Sequence, residues 1–208
     1  MAGALVAFEG IDQAGKLTQV RAVQARLDAI GLACELRHYP DYDTPIGGVI
    51  QSSLCGRVRL DARARAMLFA ANRWEKDAEL RALVERNALV LVDRYTGSNV
   101  VYGVAQGFDE EWLRGLETGL LEADVTLFVD ISPQESRRRK ASGRDDFERD
   151  VALLEQARAH YLRLAREHDW VVLDGEQPSE EVTKQVLRAL RSSLATRFPE
   201  LARDGSST

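Results

Sequence analysis

Five short apolar runs punctuate the chain, at Ala4–Phe8, Ala33–His38, Leu89–Asp93, Val125–Asp130 and Trp170–Leu173. Their length and composition predict strands. Between them, apolar positions recur with a helical period. That predicts helices over 15–30, 45–54, 61–86, 97–106, 109–120, 133–140, 147–167 and 178–197. Pro45, Pro133 and Pro178 stand near three of the helix starts, where a missing N–H costs least. The runs "LVLVD" and "VTLFVD" are apolar throughout, as a strand covered on both faces must be. Strands alternating with helices imply an α/β fold, with a parallel sheet and right-handed crossovers. Ligands of such sheets bind outside the carboxyl ends of the strands. No repeat, low-complexity stretch or linker interrupts the pattern. Residues 1–200 are therefore expected to form one domain, and 201–208, ending "DGSST", a disordered tail.

Composition narrows the classes. The 208 residues are 45% hydrophobic and 29% charged, an ordinary soluble balance, and their net charge is −5. A broad basic face for nucleic acid is not expected from that balance. No apolar run approaches a membrane span, and no signal peptide is read at the start. Cys34 and Cys55 have no metal-site spacing and suit the reducing cytoplasm.

The most informative stretch is "GIDQAGKLT", residues 10–18, placed between a strand and a helix. Gly10 and Gly15 let the backbone curl so that successive N–H groups face one anion. The helix start adds partial positive charge, and Lys16 is placed to reach outer phosphates. An ordinary strand–turn–helix with an exposed lysine is the plainer alternative, but spacing and context favour phosphate binding. A phosphate loop usually carries Ser or Thr after its lysine, to hold magnesium. Leu17 stands there instead, with Thr18 one position later. The leucine side chain is expected to pack beneath the first helical turn. Asp12 is unusual beside phosphates, which it would repel. It suits contact with magnesium, with an incoming hydroxyl or with a cation, or else a local turn bond.

Asp93 ends a buried strand and so faces the ligand edge, where it could hold magnesium directly or through water. Arg94 follows, placed to bridge phosphate oxygens. A weak surface ion pair is the plainer alternative for these two. Phe69 and Arg73 share a helix face at i,i+4, which suits stacking on a base and donating to its carbonyl. Phe69 alone would read as core. Ser98 and Asn99 open another helix, with Tyr102 close behind, and an asparagine can read a pyrimidine edge. Residues 137–144 carry Arg137, Arg138, Arg139, Lys140 and Arg144 with no acidic side chain. That describes a solvated helix end or, better, a basic lid over about 137–147 closing on the phosphates.

Taken in order, "FEGIDQAGK", "YPD", "FAANRWE", "DRYTGSNVVY" and "DDFERD" span nearly the whole chain. In these motifs it resembles the thymidylate kinases (dTMP kinases) of the P-loop nucleoside monophosphate kinases. The resemblance implies a five-stranded parallel sheet flanked by helices, in a P-loop kinase fold with a short basic lid. It also implies a homodimer and transfer of the ATP γ-phosphate to dTMP with Mg2+. By the same resemblance, Gly10, Gln13, Ala14, Gly15, Lys16, Leu17 and Thr18 would hold the donor. Asp12 would contact the acceptor's sugar hydroxyl and neighbouring arginines, Asp93 would serve the metal, and Arg94 the phosphates. Phe69 would stack on thymine, Arg73 and Asn99 would read it, and Tyr102 would crowd the sugar 2′ position. Tyr39 matches the aromatic before Pro40, and Ser98 falls within the substrate motif. Some relatives carry an assisting arginine at the position of Gln13. Its absence assigns that job to the lid, to Arg139 or Arg144. A kinase for another deoxynucleotide or nucleoside, or a nucleotide-binding protein without catalysis, are the competing readings. Leu17 and Gln13 alone support the last.

Overall fold

A computed structural model describes residues 3–86, 89–140 and 150–202. Its strands are β1 (Ala4–Glu9), β2 (Cys34–His38), β3 (Leu89–Asp93), β4 (Val125–Asp130) and β5 (Val171–Asp174). They form one sheet in the order β2-β3-β1-β4-β5, and every pairing is parallel. The helices are α1 (Lys16–Ala29), α2 (Pro45–Leu54), α3 (Ala62–Glu85), α4 (Thr96–Ala105) and α5 (Glu110–Glu117). They continue with α6 (Pro133–Arg139), α7 (Val151–Glu167) and α8 (Ser179–Leu194), and a short 3-10 turn closes the described chain at Pro199–Ala202.

Side chains of the central strand alternate between two cores, as the pleat demands. Val6 and Phe8 join Val20 and Val23 of α1, Leu154 and Tyr161 of α7, and Val186 and Leu190 of α8. Leu5 and Ala7 join Val90, Val92, Tyr39 and Tyr95, covered by Leu80 and Leu83 of α3. All six residues of β1 are buried, so no polar face was needed and none is encoded. Full burial of a side chain such as Phe8 or Leu91 contributes about 1.5–3 kcal/mol each.

Register brings the strand ends together: Phe8 pairs with Asp93 on one side and Leu127 on the other. The chain leaves β1 for β2 on one flank and reaches β4 on the other, so the carboxyl ends of β1, β3 and β4 frame a switch point. Caps place the helices that reach it. Thr44 accepts from the Gly47 N–H before Pro45, and Asp61 accepts from the Arg63 N–H before α3.

Two expectations are corrected. The helix expected over 109–120 stops at Glu117, because Thr118 takes an extended conformation (φ −63°, ψ 121°). Leu201, expected in a disordered tail over 201–208, is 3% exposed and joins the main core. Residues 203–208 lie outside the described chain, as do 141–149, which include Arg144 and much of the expected lid.

Candidate active site

The turn between β1 and α1 is built around two glycines. Gly10 has φ +148°, and a Cβ there would lie 2.6 Å from the Val129 carbonyl oxygen, so no side chain fits. Gly15 caps α1 at φ 90°, with no side-chain bond to the first amides and no acidic residue in the first turn. Those amides and the helix dipole therefore face the open end of the sheet. Gln13 adopts φ 64° within the same curl, and Ala14 is buried. Lys16 is 5% exposed, and its ammonium donates to the Gly10 and Ile11 carbonyls, both at 3.0 Å. Burial, and then the Arg94 guanidinium, pull its pKa down to about 8. Leu17 does not pack beneath the helix: it is 41% exposed, because its position on the first turn points away from the sheet. Thr18, next to it, is exposed as well.

Arg94 stands at the mouth of β3 in a left-handed conformation, φ 64°. Its amide extends the ladder by donating to the Phe8 carbonyl at 2.9 Å. The guanidinium donates to the Gly10 carbonyl (3.2 Å), Ser98 Oγ (3.4 Å) and Asp12 Oδ1 (2.5 Å). Tyr102 gives its phenol proton to Asp12 Oδ2 at 2.7 Å. Burial opposes ionisation of Asp12, but Arg94, Lys16 and the Tyr102 hydrogen bond outweigh it and hold the carboxyl below the usual range. Asp12 thus orients an arginine and a tyrosine.

Asp93 lies beside this group, and its charge reaches Lys16. Its Oδ1 is buried without a hydrogen-bond partner among the described residues. A hard divalent cation takes such carboxylate oxygens, so Asp93 fits one position around magnesium, the rest falling to phosphate oxygens and water.

A pocket opens between α3 and α4, lined by Tyr39, Phe69, Arg73, Asn99 and Tyr102, and it ends on Asp12 and Arg94. Arg73, 3% exposed, donates to both oxygens of Glu117, from Nε at 2.8 Å and from Nη2. Asn99 Nδ2 donates to the same carboxylate at 2.7 Å and to the Ala66 carbonyl at 3.2 Å. Ser98 also lines the pocket, but its hydroxyl proton goes to Glu9 Oε2 at 2.6 Å rather than into the cavity.

Sequence reasoning missed the residues that hold these in place. Glu9, buried at the end of β1, accepts from the Tyr95 and Ser98 amides at 2.9 and 3.1 Å. It thereby caps α4 from outside the helix. Tyr161 of α7 donates to the same carboxylate at 3.1 Å. Asn72 accepts the Asp41 amide (2.7 Å) and donates to the Asp41 carbonyl (3.1 Å) and Thr44 Oγ1 (2.8 Å), fixing the segment after Tyr39. Glu9 and Asn72 fall inside motifs already noted, which was a usable signal. Glu117 had none.

Arg139, expected in a mobile lid, is tied down. It donates to the Gln13 (3.2 Å), Ala14 (3.1 Å) and Gly175 (2.6 Å) carbonyls and to Glu135 Oε1 (2.8 Å). It clamps the phosphate-type loop to the turn after β5. Serving a phosphoryl group would require leaving those partners.

The whole arrangement has counterparts. A sequence model described as thymidylate kinase matches residues 8–186. Curated relatives include the thymidylate kinases of Arabidopsis thaliana, 33% identical across 88% of this chain and 69% of that one. Those of Danio rerio and Homo sapiens are 32% and 30% identical, each across 88% of both chains. Among solved structures, thymidylate kinase from Candida albicans superposes with a TM-score of 0.82 at 26% identity, over 92% of both chains. A match of this extent, on a parallel sheet with a loop of this geometry, shows that the chain belongs to the thymidylate kinase family.

Proposed function

We propose that this chain transfers the γ-phosphoryl group of ATP to dTMP, giving dTDP and ADP. The observation that carries the reading is the sharing of Asp12 and Arg94. The pair borders both the glycine loop and the end of the pocket lined by Phe69, Arg73 and Asn99. Donor and acceptor phosphates would meet there.

The attacking atom is an oxygen of the acceptor phosphate, already ionised, so no general base is required. Catalysis then rests on position and charge. The loop amides and Lys16 take the donor phosphates. Arg94, oriented by Asp12, bridges donor and acceptor oxygens as charge spreads in a loose transition state. Phe69 stacks on thymine, Arg73 and Asn99 hold its polar edge, and Tyr102 crowds a 2′-hydroxyl. Asp93 would hold magnesium, which supplies charge neutralisation for the transferring phosphates when bound. Arg139 keeps the donor loop in shape, and the transfer-assisting cation is assigned to Arg144. The exposed apolar Val49, Met67 and Trp74 on α2 and α3 support a homodimer, and the free cysteines Cys34 and Cys55 support a cytoplasmic setting.

A coupled assay with ATP and a panel of monophosphates tests the reading. dTMP is expected to be the best acceptor, dUMP poorer and ribonucleotides poor. AMP or CMP as the best acceptor would overturn the base pocket.

Donor affinity should carry a signature of Lys16. Its ammonium is easily lost, with a pKa of about 8. A bound phosphate favours the charged form, so ATP binding raises that pKa and takes up protons near pH 8. The KM for ATP is therefore expected to be flat below about pH 7.5 and to rise above 8, approaching tenfold per pH unit. Calorimetric titrations in buffers of different ionisation heat would show the uptake. A flat KM up to pH 9.5 would mean that the charge on Lys16 does not hold the donor.

A further inference from the structure

The base pocket is held by a residue that does not line it. We propose that Glu117 is a specificity-determining positioning residue, which sets the pocket to read a keto rather than an amino pyrimidine by fixing the side chains of Arg73 and Asn99. The inference rests on the acceptor pocket described under the proposed function and deepens it.

Hydrogen-bond valence carries the argument. A carboxylate only accepts, and Glu117 accepts from Arg73 Nε, Arg73 Nη2 and Asn99 Nδ2. The Ala66 carbonyl, also only an acceptor, takes the other Nδ2 hydrogen. Turning the Asn99 amide over would set its oxygen against both, so one orientation is enforced. Asn99 therefore offers Oδ1 to the cavity that it lines. Arg73 spends Nε and Nη2 on Glu117, and Nη1 makes no hydrogen bond among the described residues. Toward the base Arg73 then offers donors only, from Nη1, and Asn99 offers an acceptor, Oδ1.

Thymine and uracil present the complement, an O4 acceptor beside an N3–H donor. Cytosine presents the opposite, an N4–H donor beside an N3 acceptor, and clashes at both positions. Glu117 also neutralises Arg73, and both side chains are buried, at 6% and 3% exposure. Neither the charge nor the polarity of the pocket edge survives without it.

Glu117→Gln conserves shape but cannot accept from all three N–H groups. Either amide orientation sets an N–H against an N–H, at Arg73 or at Asn99, and the enforced orientation is lost. Steady-state kinetics of the full chain with dTMP and with dCMP, for wild type, Glu117→Gln and Glu117→Asp, test this. Wild type is expected to prefer dTMP by on the order of 10³-fold or more. Glu117→Gln should lose roughly 10²-fold in kcat/KM for dTMP, and its preference should fall at least tenfold. Glu117→Asp keeps a charged acceptor. It should retain the preference within about threefold, even where its overall activity drops. Equal losses for both acceptors in Glu117→Gln would overturn the proposal, because a packing role lowers both together. If the Gln variant does not fold, loss of preference in Glu117→Asp overturns it, and retention supports it. A wild type that ignores dTMP would refute the proposed function. A wild type that uses dTMP while Glu117→Gln keeps the preference would refute only the role of Glu117.

Discussion

Replacing Arg94 with alanine is expected to lower kcat/KM for dTMP on the order of 10⁴-fold, mostly in kcat, by analogy with arginines that stabilise phosphoryl transfer. Arg94 is built for one position. Its amide is tied to the Phe8 carbonyl and its guanidinium to the Gly10 carbonyl and Asp12. A non-glycine residue at φ 64° is held there by its surroundings, which is the kind of local strain found at working sites. Truncation removes the fork that would span donor and acceptor oxygens. It also leaves Asp12 with its strongest cation gone and its carboxyl repelling the phosphates. Arg94→Lys keeps a charge but not the fork, so it should recover less than about a hundredth of the loss. Circular dichroism and thermal melts of each variant separate a folding defect from a catalytic one. A folded Arg94→Ala protein within tenfold of wild-type kcat would remove this residue from the mechanism.

How much of this was readable beforehand follows from which interactions are local. The strands were legible because a parallel sheet covered on both faces needs uninterrupted apolar runs, and "LVLVD" and "VTLFVD" are such runs. The helices were legible from their period and caps, apart from their ends. α5 stops early because Thr118 turns extended, a choice that periodicity does not record. The Asp12–Arg94 pair came from two motifs 82 residues apart, each recognisable by its strand-end position. The partners of Arg139 were not legible, because a run of arginines shows charge but not what it touches. The Gln13, Ala14 and Gly175 carbonyls that occupy it come together only in the fold. Glu117 was invisible for the same reason. Its partners are 44 and 18 residues away in sequence, and in isolation it is one glutamate on an amphipathic helix.

Asp93 bears on the oddity at Leu17, and Asp93→Ala is expected to lower kcat about 10³-fold while raising the magnesium concentration needed for half-maximal rate. Two observations lead there. The buried Oδ1 of Asp93 has no hydrogen-bond partner among the described residues, which is costly unless something occupies it. Leu17 replaces the hydroxyl that phosphate loops ordinarily offer, and its side chain is 41% exposed on the helix surface. A leucine so placed neither coordinates a cation nor supports the loop from beneath. Magnesium readily keeps several waters, so a water can take the position that a hydroxyl would fill. The protein's own hold on the ion would then fall more heavily on Asp93. Leu17→Ser should accordingly change kcat by less than about threefold and lower the magnesium requirement slightly, since it returns one ligand to a site that already works. Magnesium titrations of wild type and both variants, at saturating ATP and dTMP, decide the matter. A wild type inert at every magnesium concentration and revived by Leu17→Ser would mean that the leucine disables the site. The reading would then shift from an active kinase to a nucleotide-binding protein on the same fold.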